Sequence, residues 1–165
     1  MDFSLTADQQ EMQDAARTYA QSRLPELADD IEKTANPPTH ELIREYADMG
    51  FLGINIPESL GGLGRSSLDA LIVLEEFGKI SSAIAFPVFE SCTGPVKAIE
   101  HFGSDSLKAR VVPAVCKGEM VVAIAMSEPN AGSALTDLTT RAEETADGVV
   151  LNGMKRWCSG GGHAD

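Results

Sequence analysis

The sequence predicts a mainly α protein that begins as an orthogonal or up-down helical bundle and then opens a β-domain. Three observations carry this reading. Apolar residues recur at helical spacing through the first two thirds of the chain. Thr6 and Ser104 stand at helix-capping positions. From Met120 the texture changes to short apolar runs punctuated by turn signals. Residues 1–118 are therefore read as a helical domain, and 119–165 as the start of a β-domain that the chain does not finish.

The elements follow in order. Thr6 and Gln9 have capping-box spacing, and Met12, Ala15, Ala16, Tyr19 and Ala20 line one face of the first helix. Pro25 ends or kinks it. After the break at Asn36-Pro37-Pro38-Thr39, Leu42, Ile43, Tyr46 and Met49 mark a second helix, which Gly50 stops. Phe51 to Pro57 reads as a short extended piece leading into Gly61-Gly62-Leu63-Gly64. A third helix from Ser66 or Ser67 to Gly78 carries apolar residues around most of its circumference, which predicts deep burial. A fourth spans about Ala83 to Phe102 with Pro87 and Pro95 inside it, and a fifth runs from Ser104 to before Lys117-Gly118. Met120 to Met126 reads as a buried strand. Leu138–Ala142 and Gly148–Asn152 are two more, turned at Asp147-Gly148, and Lys155 to Ser159 is a further candidate.

Composition narrows the function. The 165 residues suit about one domain or one domain and part of a second, at roughly 150 residues each. Hydrophobic residues are 43% and charged residues 23%, which suits a folded chain rather than a disordered one. The net charge of −12 argues against nucleic acid or an anionic membrane as partner. Met1-Asp2-Phe3-Ser4 has no basic or apolar leader character, and no apolar run reaches the ~20 residues of a membrane span. Cys92, Cys116 and Cys158 are far apart, which points to neither a disulfide framework nor a metal knuckle. The expected setting is cytoplasmic.

Local motifs taken singly decide little. The Gly61–Gly64 loop lacks the Walker Lys and reads mainly as a tight turn. His40, His101 and His163 are not spaced as metal ligands. The turn after Ser127-Glu128-Pro129 offers backbone amides and hydroxyls that suit either an ordinary loop or a polar ligand edge. Trp157 suits core packing or the flank of an aromatic ligand.

Taken in order, however, the helical bundle, Ile56-Pro57-Glu58 with Gly61-Gly62-Leu63-Gly64, Met126-Ser127-Glu128-Pro129-Asn130-Ala131-Gly132-Ser133 and Asn152-Gly153-Met154-Lys155-Arg156-Trp157 resemble the amino-terminal part of a flavin-dependent acyl-CoA dehydrogenase. The resemblance spans essentially the whole chain. It implies a helical domain followed by the opening of a barrel-like middle domain, FAD as cofactor, and α,β-dehydrogenation of an acyl-CoA thioester in fatty acid metabolism. It implies cofactor contacts at Met126, Ser127, Gly132, Ser133, Trp157, Cys158 and Ser159, and substrate contacts at Ser133, Phe86, Phe89 and Glu90. An electron-transferring flavoprotein as electron acceptor and a homo-oligomer, tetramer or dimer, are implied too. Two departures stand out. Ala134 follows Ser133 where the family usually carries Asp, and the family's catalytic Glu, from its carboxy-terminal domain, has no counterpart here. No catalytic residue is therefore expected in this chain, which alone is expected to be inactive. A flavin oxidase of the acyl-CoA or nitroalkane type shares the scaffold. A non-catalytic helical interaction module is disfavoured, because the β-segment would expose apolar strands.

Overall fold

In the computed structural model, residues 4–165 are described, so the reading of Met1–Phe3 lies outside the described residues. The chain divides into two compact units, one reaching Val122 and including Asp165, the other Ala123–Ala164.

The helical unit is built on its caps. Helix α1 (Ala7–Arg23) begins at a complete capping box: the Gln9 N–H donates to Thr6 Oγ1 at 3.2 Å, and the Thr6 N–H donates to Gln9 Oε1 at 3.1 Å. Pro25 does not kink this helix. It opens a separate helix, α2 (Pro25–Thr34), at the first helical position, where a missing N–H is harmless. Helix α3 (His40–Asp48) starts at Thr39, whose hydroxyl accepts from the Leu42 N–H. Helix α4 (Ser67–Gly78) repeats the reciprocal cap through Ser66 and Asp69. The expected fourth helix is two, α5 (Ser82–Cys92) and α6 (Pro95–Phe102). The break is at Thr93-Gly94, because Pro95 starts a new helix more readily than it continues one. Helix α7 (Asp105–Cys116) is capped by Ser104 as expected.

Residues 51–57 form turns rather than an extended piece. The glycine loop folds back on them: Leu63 N–H donates to the Gly53 carbonyl, Gly64 N–H to Ile56, and Arg65 N–H to Ile54, at 2.8–3.1 Å. The loop's amides are thus spent on its own backbone, and it is a packed turn. Gly62 is required there, since an added Cβ would lie 2.3 Å from the Ile56 carbonyl oxygen.

The core is two apolar clusters. In the larger, the fully buried Phe77 ring meets Tyr46 and Phe51 at 5.1 Å and Tyr19 at 5.7 Å. The Tyr46 hydroxyl donates to the Ile84 carbonyl at 3.1 Å, and burial pushes its pKa up. The smaller cluster gathers Ile56, Val96, Val112 and Val115. Helix α4 is less buried than expected. It packs Ala70, Ile72, Val73 and Phe77 inward but leaves Leu68 and Leu71 about half exposed, since it packs against α1 and α5 on part of its circumference.

In the second unit, strands β1 (Arg141–Thr145) and β2 (Gly148–Asn152) form an antiparallel hairpin. Its register pairs Arg141 with Asn152 and Thr145 with Gly148, so the loop is Ala146-Asp147 and Gly148 already belongs to the strand. The first strand begins at Arg141 rather than Leu138. Residues 120–126 and 155–159 form no strand; a strand needs a ladder of backbone bonds to a neighbouring segment, and among the described residues these make only single ones, Asp165 N–H to the Val121 carbonyl and Arg156 N–H to the Ser127 carbonyl. Among the described residues, no helix is long and apolar enough to cross a membrane.

Replacing Gly62 by Ala is expected to destabilise the helical unit by about 2 kcal/mol, because the clash is with backbone. Gly78→Ala, at the end of α4 with nothing within 4 Å of the added carbon, is expected to stabilise by about 0.5 kcal/mol. Urea denaturation of both variants checks the pair of signs.

Candidate functional site

The most organised polar feature of the second unit centres on Glu128, only 5% exposed. Its Oε2 accepts from the Thr139 N–H at 2.7 Å and the Thr139 hydroxyl at 2.8 Å. Its Oε1 accepts from the Thr140 N–H and from Lys155 Nζ, both at 2.9 Å. A buried carboxylate is tolerated only when donors replace its water, and here four do. Donors from Thr140, Thr139 and Lys155 hold its pKa well below the usual carboxylate range. Because Thr139 and Thr140 give their amides to Glu128, the ladder starts only at Arg141.

Lys155 reaches one residue further. Its Nζ also donates to the Met126 carbonyl at 3.0 Å, and the Arg156 N–H donates to the Ser127 carbonyl at 3.0 Å. Two stretches separated in sequence, 126–128 and 155–156, therefore lie side by side. The Glu128 and Ala131 backbones bond each other reciprocally and set the turn that leads to Gly132 and Ser133. Gly153 lies so close to Thr140 that a Cβ there would meet its Oγ1 at 2.2 Å.

Around this scaffold the expected cofactor residues are open. Met126 is 46% and Trp157 75% exposed, and the Arg156 guanidinium lies 4.3 Å over the indole ring centre. The hydroxyls of Ser127, Ser133 and Ser159 make no hydrogen bond among the described residues. Gly132 has open space around it, and Cys158 is an exposed free thiol. Apolar faces beside unspent hydroxyls suit a planar, polar-edged group, so the donor set fits a flavin. Glu128 and Lys155 stand in the quoted motifs, but neither they nor Thr139 and Thr140 are among the expected site residues. A carboxylate that draws partners from 11, 12 and 27 positions away leaves no local pattern to find.

Phe86, Phe89 and Glu90, the expected substrate residues, belong to α5 of the helical unit. The Phe86 and Phe89 rings pair at 5.4 Å and are half-buried. Glu90 is buried and, among the described residues, has no hydrogen-bond or ion-pair partner. It lines a cavity of about 10 Å³, room for a single water. Its neighbour Ser91 does not serve it, since that hydroxyl donates to the Val88 carbonyl and accepts from the Gly53 N–H. Burial alone raises the Glu90 pKa from 4.5 to about 7. Among the described residues, no group of three or more His, Cys, Asp or Glu is placed to hold a metal.

The family model described as acyl-CoA dehydrogenase, N-terminal domain, matches residues 6–119, and that described as acyl-CoA dehydrogenase, middle domain, matches 123–165. The 3-sulfinopropanoyl-CoA desulfinase of Advenella mimigardefordensis is 38% identical over 160 residues, covering 97% of this chain and 39% of that protein. The glutaryl-CoA dehydrogenase of Desulfococcus multivorans is 33% identical over 167 residues, covering 100% of this chain and 43% of that protein. A solved glutaryl-coenzyme A dehydrogenase glutaryl-CoA complex superposes with a TM-score of 0.90 at 33% identity, over 100% of this chain and 42% of that one. The chain thus spans about two fifths of the length of the curated relatives it matches.

Glu128→Gln keeps the shape but loses the charge that Lys155 and the two threonines share. Amide exchange at Thr139 and Thr140 is expected to quicken about tenfold while α4 is unaffected, read by hydrogen-exchange mass spectrometry. Glu90 acts in the opposite sense. Between pH 4.5 and about 7 the folded protein keeps a proton that the unfolded chain has lost, so stability falls as pH rises through that window and is level above it. The penalty is of order 2 kcal/mol after allowing for solvent screening. Denaturant titrations at pH 4.5 and 8 are expected to show Glu90→Gln gaining stability over the unsubstituted protein only at the higher pH.

Proposed function

The chain belongs to the acyl-CoA dehydrogenase family, and from that membership we propose that it is the amino-terminal two fifths of a flavoprotein oxidoreductase that dehydrogenates an acyl-CoA thioester between its α and β carbons. The observation that carries this reading is the pairing of 126–128 with 155–156 through Lys155 and Glu128, which leaves Ser127 and Trp157 on one scaffold with unspent hydroxyls and an open indole face. FAD, when bound, supplies the hydride acceptor. The chain's own part is binding and orientation. Ser127 and Ser159 would hydrogen-bond the ring edge, with Cys158 beside Ser159. Met126 and Trp157 would cover the ring and keep water from it. Gly132 and Ser133 would present amides and a hydroxyl to phosphate and to the thioester arm. Phe86, Phe89 and Glu90 would line the acyl chain's site. The base that takes the α-proton lies outside these 165 residues, so the chain alone does not turn over.

Residues 120–126 and the open edges of the hairpin would find their ladder partners in the rest of the longer protein. An electron-transferring flavoprotein as acceptor, a homo-oligomeric assembly and a cytoplasmic setting complete the proposal, all by resemblance to the family.

The test uses the full-length protein. Anaerobic butyryl-CoA or glutaryl-CoA is expected to bleach its visible flavin band. A flavin-loaded protein that no acyl-CoA bleaches would overturn the dehydrogenase reading, and fast reoxidation by oxygen in place of transfer to a flavoprotein acceptor would replace it with an oxidase.

A further inference from the structure

Lys155 has a task that the other donors on Glu128 do not share. Three of the four bonds to that carboxylate come from Thr139 and Thr140, two from N–H groups and one from a hydroxyl. They settle the base of the β1–β2 hairpin and give the buried anion most of the donors it needs. The fourth comes from Lys155 Nζ, which also donates to the Met126 carbonyl. Among the described residues, Lys155 is the one side chain that bonds both Glu128 and the main chain just before it. The Glu128 side chain is 3% and that of Lys155 27% exposed, so this pair is screened less than one on the open surface. The Arg156 N–H bond to the Ser127 carbonyl carries the same tie one residue further. Ser127 follows Met126 directly, and Trp157, Cys158 and Ser159 follow Arg156. The φ of +63° at Trp157 is a strained conformation, which persists only where its neighbours hold it. Without the ammonium, one main-chain bond is left to align the two stretches. Their hydroxyls and indole would then have to be ordered again whenever a rigid planar group binds, which weakens its binding.

We infer that Lys155 is a positioning residue for the flavin: anchored on the Glu128 carboxylate, its ammonium holds the Met126 carbonyl and with it the register that sets Ser127 relative to Trp157 and Ser159. In this role it touches neither cofactor nor substrate and acts through the residues it aligns. The inference rests on the proposed placing of the flavin at Ser127, Trp157 and Ser159.

The experiment reads FAD binding apart from turnover. FAD is titrated into the full-length apoprotein and followed by its own fluorescence. Lys155→Met keeps an unbranched stem and removes the charge and the donors. Its FAD dissociation constant is expected to rise about tenfold, in keeping with the loss of a hydrogen bond to a charged group. Lys155→Arg, whose guanidinium can serve both acceptors, is expected to return the constant to within about threefold of the unsubstituted value. Thr139 and Thr140 keep their bonds to Glu128 in Lys155→Met, so amide exchange in β1 and β2 is expected to stay at the unsubstituted rate. That readout separates positioning from a loss of fold. An FAD affinity that Lys155→Met leaves unchanged overturns the inference alone. So does a loss of affinity that comes with fast exchange throughout the hairpin, or one that Lys155→Arg does not restore. Unsubstituted full-length protein that binds no FAD overturns the flavin reading and the inference with it.

Discussion

Glu128 carries more of the second unit than any other side chain. That unit has one exposed two-stranded hairpin, which is marginal by itself in water. What orders the residues before and after the hairpin is a carboxylate that accepts from Thr139, Thr140 and Lys155. Lys155 in turn reaches the Met126 carbonyl, and Arg156 bonds Ser127. Remove the charge and three stretches lose their common partner at once. Charge-assisted bonds of this kind do for the second unit what apolar packing does for the first.

The helical unit relies on a different constraint. Phe77 is fully buried and meets rings from α1, α3 and the loop after α3. Polar groups at the edge of this cluster are paired: Tyr19 donates to Glu45, which also takes Arg23, and Glu76 takes Arg17 and Lys79. Glu45 and Glu76 consequently titrate below their ordinary value, as Glu128 does. Glu90 is the contrast. It is buried to a similar degree, yet burial without a partner drives its pKa the other way. The two directions follow from one rule: a buried carboxylate is stable as an anion only where donors reach it. An unbalanced acid therefore costs the core stability wherever the pH lets it ionise.

What the sequence discloses depends on how far each interaction reaches. Thr6 with Gln9, Ser66 with Asp69 and Ser104 with Leu107 act within three residues, so the helix starts are legible. Prolines are legible as boundaries but ambiguous in meaning: the first helix ends just before Pro25, one of the two outcomes read for it, but Pro25 also opens a new helix, and Pro95 opens one where a continuous helix is expected. The exposure of Leu68 and Leu71 depends on which neighbours α4 meets, which its own periodicity does not record. Strand pairing is less local still. The apolar run at 120–126 has the texture of a strand and no ladder, because pairing is a property of two segments. The motifs around Ser127 and Trp157 were visible as motifs, whereas the network that sets them side by side was not.

Trp157 shows how such a network can hold a costly conformation. Its φ is +63°, in the left-handed region that an aromatic residue seldom enters, at a cost of about 1 kcal/mol. Its neighbours leave little alternative. Lys155 is tied to Glu128 and the Met126 carbonyl, Arg156 is tied to Ser127, and Gly153 is pressed against Thr140. With the chain fixed on the N-terminal side, the reversal at Trp157 ends the extended run and turns the indole outward under the Arg156 guanidinium. Within this chain the ring is three-quarters exposed on a strained backbone. Strain at Trp157 is thus held by the bonds of Lys155 and Arg156, whereas the glycine loop spends its amides on its own backbone and carries no such strain beyond its glycines.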